Sequence, residues 1–582
     1  MERTFVEKIL NAPVGSIVVR EPDYVLSHDN SARIRRIFER MGGEDVYCPN
    51  QLVIVLDGKV SGLTNEMINE YNSIRNFVEE QHIERFYDCD RGICHQVLAD
   101  IVKPGMLITG SDSHMATAGA FNCFAMGVNK TETAALWKTG KIWFRVPETI
   151  KIVLKNSLSD GVVAKDLALW IMGILSEIEV NGQIVEYHGD GVGSLSIADR
   201  MTIANVSTEM GIECSVFPPD DVLADYFGEP AVRGIWADKG ANYVRYIEID
   251  LAKVFPLVLD TVKGEIRGVN EIEGIKIQQG LIGGCAAGRL EDLRLAAMIL
   301  DGKHVADHFQ LFIVPASRAI YLQAIEEGVI DILSRAGAII LGASCGPCLS
   351  VGHMASADNS RLISTTNSYF IGNTATSGVK KYVASPVTVA MTAMRGELST
   401  VIHFQGAEFK CRPKPEEQRC IEGYDYRRRA AVWNYSDIDN ISCRQIFSEK
   451  LTYKITHEQT DLIKPALFAG LDMNFSVEVK PGDLIVAGEN FGCGGLIKHA
   501  VTGLMAVGIR LIIVKSVNRN FYRMAMNHGL YIIINREVAK DYTSGDQLTL
   551  DMEAGKVYLN NREYILPEVD PLFFGFLGKK IS

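Results

Sequence analysis

No uninterrupted apolar run opens this 582-residue chain; the first segment, MERTFVEKILNAPVGSIVV, places acidic side chains within its opening turns. The segment therefore reads as neither a secretory leader nor a membrane span. Positive charge is also short. With 59 Lys and Arg against 71 Asp and Glu, the net charge is -12, which disfavours broad nucleic-acid binding and obliges an anionic substrate to find its own basic pocket. No long stretch has a disordered composition, and 47% hydrophobic with 22% charged residues is ordinary for several globular domains. Twelve cysteines without a leader argue against a disulfide framework and for thiols or metal in a reducing, cytoplasmic setting.

Three of those cysteines stand out. Cys285 in LIGGCAAGRLEDLR, and Cys345 and Cys348 in IILGASCGPCLS, each follow an apolar strand-like run beside small residues. Three thiolates can hold three irons of a cubane 4Fe-4S cluster, leaving a fourth iron open as a Lewis acid for a hydroxyl and a carboxylate. Cys-Gly-Pro-Cys is also a dithiol redox motif, although no Trp precedes it and no thioredoxin-sized unit surrounds it. Buried free cysteine is also common as a small core residue, the reading taken for Cys89, Cys123, Cys411 and Cys443. On the residues alone, cluster, dithiol and packing all stay open for the three.

From about residue 12 to 400, β-branched runs such as QLVIVLD, MLITGSD, TIKIVLK, LFIVP and AIILGAS alternate with helical patterns such as LEDLRLAAMILDG and AIYLQAIEEGVIDILSRAG. That alternation predicts an α/β fold with parallel sheets covered by helices. Residues 405–448 lose the periodicity and read as a charged linker, with a helix near 426–432. From 449 a second α/β unit follows, with strands DLIVAG, LIIVKS, LYIIIN and KVYLN around the glycine turn NFGCGG. Ligands gather at the carboxyl ends of strands in such sheets, so GSDSH, GASCG and GENFGCGG are expected to face one cleft.

In order and spacing, SHDNSA, FYDCDRGICHQVL, GSDSHMATAGAF, GKIWFRVPETIKI, GCAAGRLEDLR, SCGPC, STTNSYF, YVASPVTVA, TDLIKPALF and NFGCG resemble the aconitase and isopropylmalate isomerase superfamily, homoaconitase included. The resemblance covers nearly the whole chain. It implies a three-subdomain cluster-binding body over 1–404, a linker over 405–448 and a C-terminal swivel α/β domain over 449–582, fusing what isopropylmalate isomerases carry as two subunits. It also implies a 4Fe-4S cluster with one open iron, held by Cys285, Cys345 and Cys348. Asp112, Ser113 and His114 match the family's Asp-Ser-His motif for substrate contact and acid-base work. His95 matches a second site histidine, able to donate to a leaving hydroxyl when paired with a carboxylate. His28, Asn205, Glu209 and Asn367 match substrate-site positions, with Glu209 placed for a bridging water, and Arg519 matches a basic position.

The departures bear on substrate. Where the family's swivel turn reads Gly-Ser-Ser-Arg-Glu-His, this chain has Gly494, Gly495, Leu496, Ile497, Lys498 and His499, so the serine base and a carboxylate-binding arginine are gone. Asn367 to Asn373 replaces Asn-Arg-Asn-Phe-x-Gly-Arg without either arginine, Asp-His becomes Asp57 and Gly58, and Ser-Cys-Thr-Asn becomes Gly284 to Ala287. Neutral side chains cannot replace a bidentate guanidinium. The expected enzyme is a hydro-lyase or isomerase for a small 2-hydroxy carboxylic acid poorer in carboxylates than citrate, or bearing an amide, amine or apolar group toward Leu496 and Ile497. Its base is expected among Lys498, His499 and His28. The alternatives are another cluster-assisted reaction, such as decarboxylation, and a non-catalytic iron-sulfur sensor. No membrane partner is expected, and the chain is read as a monomer or homo-oligomer. Lys380 and Lys381 read as a solvated surface pair.

Overall fold

The structure, a computed structural model, describes residues 2–58, 64–89, 91–345, 360–367, 379–401, 432–448, 460–551, 555–570 and 572–573. Cys348, Cys411, residues 368–373 and most of the expected linker lie outside them. Besides a two-stranded antiparallel pair, Ile17–Arg20 with Ile142–Arg145, three larger sheets build the described part up to residue 401. The first is wholly parallel, in the order Phe86–Tyr87, Leu52–Val55, Tyr24–Ser27, Leu107–Gly110, Phe124–Gly127. The second is also parallel, ordered Cys214–Val216, Ile184–His188, Thr149–Lys155, Arg245–Asp250. The third has seven strands and is mixed, with Arg361–Ser364, Gln279–Gly283, Gln310–Val314 and Ile339–Ile340 running parallel at one side. Leu52–Val55 is buried at every position, as a β-branched strand covered on both faces must be. The helical run after Ser317 divides into Arg318–Glu326 and Val329–Arg335 because Gly328 takes φ +75° between them.

The carboxyl ends of these strands supply the chemistry. His28 follows Tyr24–Ser27, Asp57 follows Leu52–Val55, and Asp112 follows Leu107–Gly110. Cys285, Cys345 and Asn367 follow strands of the third sheet. Parallel strands aim every one of these loops at the same edge of their sheet.

A C-terminal parallel sheet runs Val432–Tyr435, Leu484–Ala487, Leu511–Val514, Tyr531–Ile534. The expected linker is thereby shortened. Val432, expected to close a helix, begins an edge strand, and Trp433 and Tyr435 are fully buried in the C-terminal core. Trp433 Nε1 donates to Asp483 at 3.1 Å and Tyr435 Oη to Asp472 at 2.9 Å. Charge-rich flanking sequence hid an apolar strand of only four residues. The strand at Lys556–Leu559 belongs to a separate three-stranded antiparallel sheet. Lys381 is buried rather than solvated, and burial pushes its amine down to about 8, while its neighbour Lys380 is exposed.

A buried ion pair joins the C-terminal domain to the body. Arg523 Nε lies 2.8 Å from Glu132 Oε1, the Arg523 guanidinium stacks 4.2 Å from the Trp143 ring centroid, and Asn527 Nδ2 donates to Glu132 at 2.8 Å. Burial alone raises the Glu132 pKa, but Arg523, Asn527 and Asn129 outweigh it and hold the carboxyl below its ordinary value. Arg523→Met leaves that carboxylate buried without its cation and should cost about 3–5 kcal/mol at neutral pH, read from urea unfolding. The difference from the parent chain should persist above the unfolded carboxyl pKa of about 4.3 and shrink as pH falls through the depressed folded value.

Candidate active site

Asp112 occupies the centre of a cluster of imidazoles. His95 Nε2 lies 2.9 Å from Asp112 Oδ1, the His114 backbone N–H donates to the same oxygen at 2.7 Å, and His28 Nε2 is 3.7 Å from Oδ2. Burial would raise the Asp112 pKa, yet His95, the two hydrogen bonds and His28 hold it well below the carboxylate range. On the far side His114 Nε2 lies 3.1 Å from Glu209. Burial works against charge on His114, but Cys285, Asp112 and Glu209 hold its imidazole well above the ordinary histidine value. Ser113 is exposed, its hydroxyl 3.3 Å from His114 Nδ1.

Asn30 holds the His28 ring in place. The Ser111 carbonyl can only accept, so it fixes Asn30 Nδ2 as a donor at 3.2 Å. The same nitrogen is 2.9 Å from His28 Nε2, and His28 Nδ1 faces Asp57 at 3.8 Å. Asp57, overlooked as a site residue, is a hub. It is buried, its Oδ2 accepts the Cys94 N–H at 2.8 Å, and its carbonyl accepts the Cys345 N–H at 2.8 Å. Burial raises its pKa, with His28 opposing and Asp29 reinforcing.

Cys285 opens the turn after Gln279–Gly283, with Sγ 3.7 Å from Asn205 Oδ1. Cys285 and Cys345 are half-buried, whereas Cys123 and Cys443 are sealed in cores. Two reachable thiols at the carboxyl ends of strands of one sheet, Gln279–Gly283 and Ile339–Ile340, suit thiolate ligation of a metal cluster better than packing. A second candidate donor set is Cys94, His95 and Asp112, whose ligand atoms lie within 4.8 Å of one another. Cys94 is fully buried, and burial, then Asp57, pushes its thiol well up, so it is a poor ligand as it stands.

The swivel positions are placed differently. Lys498 is exposed in the first turn of the helix Ile497–Ala506, and His499 packs its ring 5.2 Å from Phe447 within the C-terminal domain. Leu496 and Ile497 pack on the C-terminal core. Arg519 is an interdomain residue. Its guanidinium bonds the Gly127 carbonyl and pairs with Glu213 at 3.2 Å, on the wall of a cleft of about 550 Å³ shared with Arg145 and Lys515. None of Cys285, His95, Asp112 or His114 lines that cleft.

Residues 22–264 and 259–396 match the aconitase family (aconitate hydratase), and residues 424–536 match the aconitase C-terminal domain. The chain belongs to the aconitase family. Within the family it is similar to the 3-isopropylmalate dehydratase large subunit 1 of Methanopyrus kandleri, 38% identical over 413 residues that make up 69% of this chain and 99% of the relative. It is 36% identical to a probable methanogen homoaconitase large subunit of Methanosarcina mazei, over 66% of this chain and 99% of the relative. A mitochondrial homoaconitase of Debaryomyces hansenii is 28% identical over 92% of this chain and 84% of its own length. This aconitase-family member is a hydro-lyase. Among the described residues, no helix is long and apolar enough to cross a membrane.

The space beside Asp57 is sterically limited at Gly58. A Cβ on Gly58 would meet Asp29 Oδ2 at 2.5 Å, and Asp29 Oδ1 accepts the Asp57 N–H at 3.1 Å, so no side chain fits beside Asp57 while Asp29 keeps its place. Gly58→Ala should therefore destabilise by about 1–3 kcal/mol, and adding Asp29→Ala should recover part of that loss in thermal unfolding.

Proposed function

We propose that this aconitase-family hydro-lyase adds or removes water on a small 2-hydroxy carboxylic acid poorer in carboxylates than citrate, using a 4Fe-4S cluster held by Cys285, Cys345 and Cys348. The observation that carries the reading is the joint placement of Asp112, His95, His114 and Glu209 beside Cys285. When bound, the cluster supplies an iron without a protein ligand, a Lewis acid for hydroxyl and carboxylate oxygens.

The chain's own groups do the rest. His114, kept charged by Glu209, Asp112 and Cys285, holds a proton for a departing hydroxyl. Asp112 stays ionised and orients His95. Asn205 and Asn367, fully or nearly buried, offer amides to the substrate. Among the candidates for the missing serine base, His28 is the one whose ring stands beside Asp112, with Nε2 3.7 Å from Oδ2. Lys498 and His499 belong to a C-terminal domain over 449–582, extended back to residue 432, that we propose moves relative to the body. The neutral and apolar swivel turn favours a substrate with an uncharged group there, and it also favours a second reading, a cluster-assisted decarboxylation or isomerisation of a specialised acid.

Anaerobic protein should contain iron and sulfide and should hydrate at least one member of a panel of unsaturated mono- and dicarboxylic acids. Cys345→Ser should lose cluster absorbance and activity with its fold intact, and full activity in that variant overturns the proposal. Turnover of a panel member without water addition selects the second reading. Glu209→Gln removes one of the groups that raise the His114 pKa, so the alkaline limb of the activity profile should move to lower pH, with a loss of roughly 100-fold or more in His114→Asn.

A further inference from the structure

We propose that Lys165 is a positioning residue that sets the orientation of the two site asparagines. The inference rests on the reading of the Cys285 neighbourhood as the active site. Lys165 lies in the first turn of the helix Ala164–Ser176 and is 2% exposed. Its Nζ donates to Asn367 Oδ1 at 3.0 Å, Asn367 Nδ2 donates to Asn205 Oδ1 at 2.9 Å, and Asn205 Nδ2 donates to Thr117 Oγ1 at 2.9 Å. Thr117 Oγ1 ends the chain on the His114 carbonyl at 2.7 Å, inside the Asp112 to His114 loop. Asn205, Asn367 and Thr117 are all buried, so solvent does not stand in for a lost partner.

An amide group has nearly the same shape with oxygen and nitrogen exchanged, and a hydroxyl both donates and accepts. The His114 carbonyl accepts the Thr117 N–H at 3.0 Å as well as its hydroxyl, and as a pure acceptor it holds the far end of the relay in the same sense. The Lys165 ammonium carries donors and no acceptor. It must therefore face Asn367 Oδ1, and each later bond inherits the direction. In that direction Asn205 turns its oxygen toward Asn367 Nδ2 and its nitrogen toward Thr117. A buried amide turned the other way meets the ammonium with its own N–H groups and leaves donors unpaired. Among the described residues four separate elements meet in this relay, which explains why neither Lys165 nor Thr117 stood out in the sequence.

The experiment compares Lys165→Met in the parent chain and in an Asn205→Ala chain, reading kcat and KM on cluster-loaded protein. The expected result is a roughly 10- to 100-fold fall in kcat/KM in the parent and little further fall with Asn205→Ala, since the substitution acts through that amide. Equal falls in both backgrounds mean Lys165 merely fills space and overturn the proposal. A second readout needs no cluster. In cluster-free protein labelled with 15N-asparagine, Lys165→Gln, which donates or accepts, should shift or double the Asn205 and Asn367 side-chain signals. Single unshifted signals overturn the proposal. Absence of iron and hydratase activity in the unsubstituted protein defeats the reading of the site instead, and the amide signals then still decide the relay.

Discussion

Removing a carboxylate from water costs several kcal/mol unless other donors take over the lost hydration. At Asp112 the replacements are the His95 ring at 2.9 Å and the His114 backbone at 2.7 Å, with His28 further off. Because two of these donors come from elements separated in the chain, the loops after Tyr24–Ser27, Phe86–Tyr87 and Leu107–Gly110 must close on one point. The same requirement propagates outward. Glu209 answers His114, Asp57 answers His28, and Asp57 in turn ties down the backbone of Cys94 and Cys345. The parallel sheet is the scaffold that makes such convergence possible, since it points all its loops one way.

A second buried charge pair, Glu132 with Arg523, does for the two parts of the molecule what Asp112 does for the site. Its partners, Trp143, Asn129 and Asn527, come from both parts, so docking and charge satisfaction are one event. The Glu213 and Arg519 pair lies nearby and works in the same sense. Arg519 matched a basic family position in the sequence, yet its guanidinium is occupied by the interface. A cation in a motif shows that charge is present there, and only its neighbours show which anion it serves.

Much of the fold was legible because strand and helix periodicities are local. Leu52–Val55, Leu107–Gly110, Thr149–Lys155 and Leu290–Leu300 fall where apolar alternation and helical spacing predict them. Val432–Tyr435 was missed because four residues in charged surroundings carry too little pattern, and Lys381 was misjudged because a strand end can bury a lysine that looks solvated. His95, Asp112, His114 and Glu209, named through motif resemblance, stand within hydrogen-bond distance of one another in a chain of contacts. Asp57 as a hub and Lys165 as the head of a relay were not legible, since each acts through partners from 28 to more than 200 residues away.

By itself the sequence determined most element types and the order of the motifs, because those depend on residue identity and local spacing. Tertiary structure alone decided that the Asp112 carboxyl is held below and the His114 imidazole above its ordinary range, that Asp29 occupies the side-chain space at Gly58, and that Arg519 serves an interface. Those outcomes depend on burial and on distances between groups far apart in the chain, which no local pattern encodes.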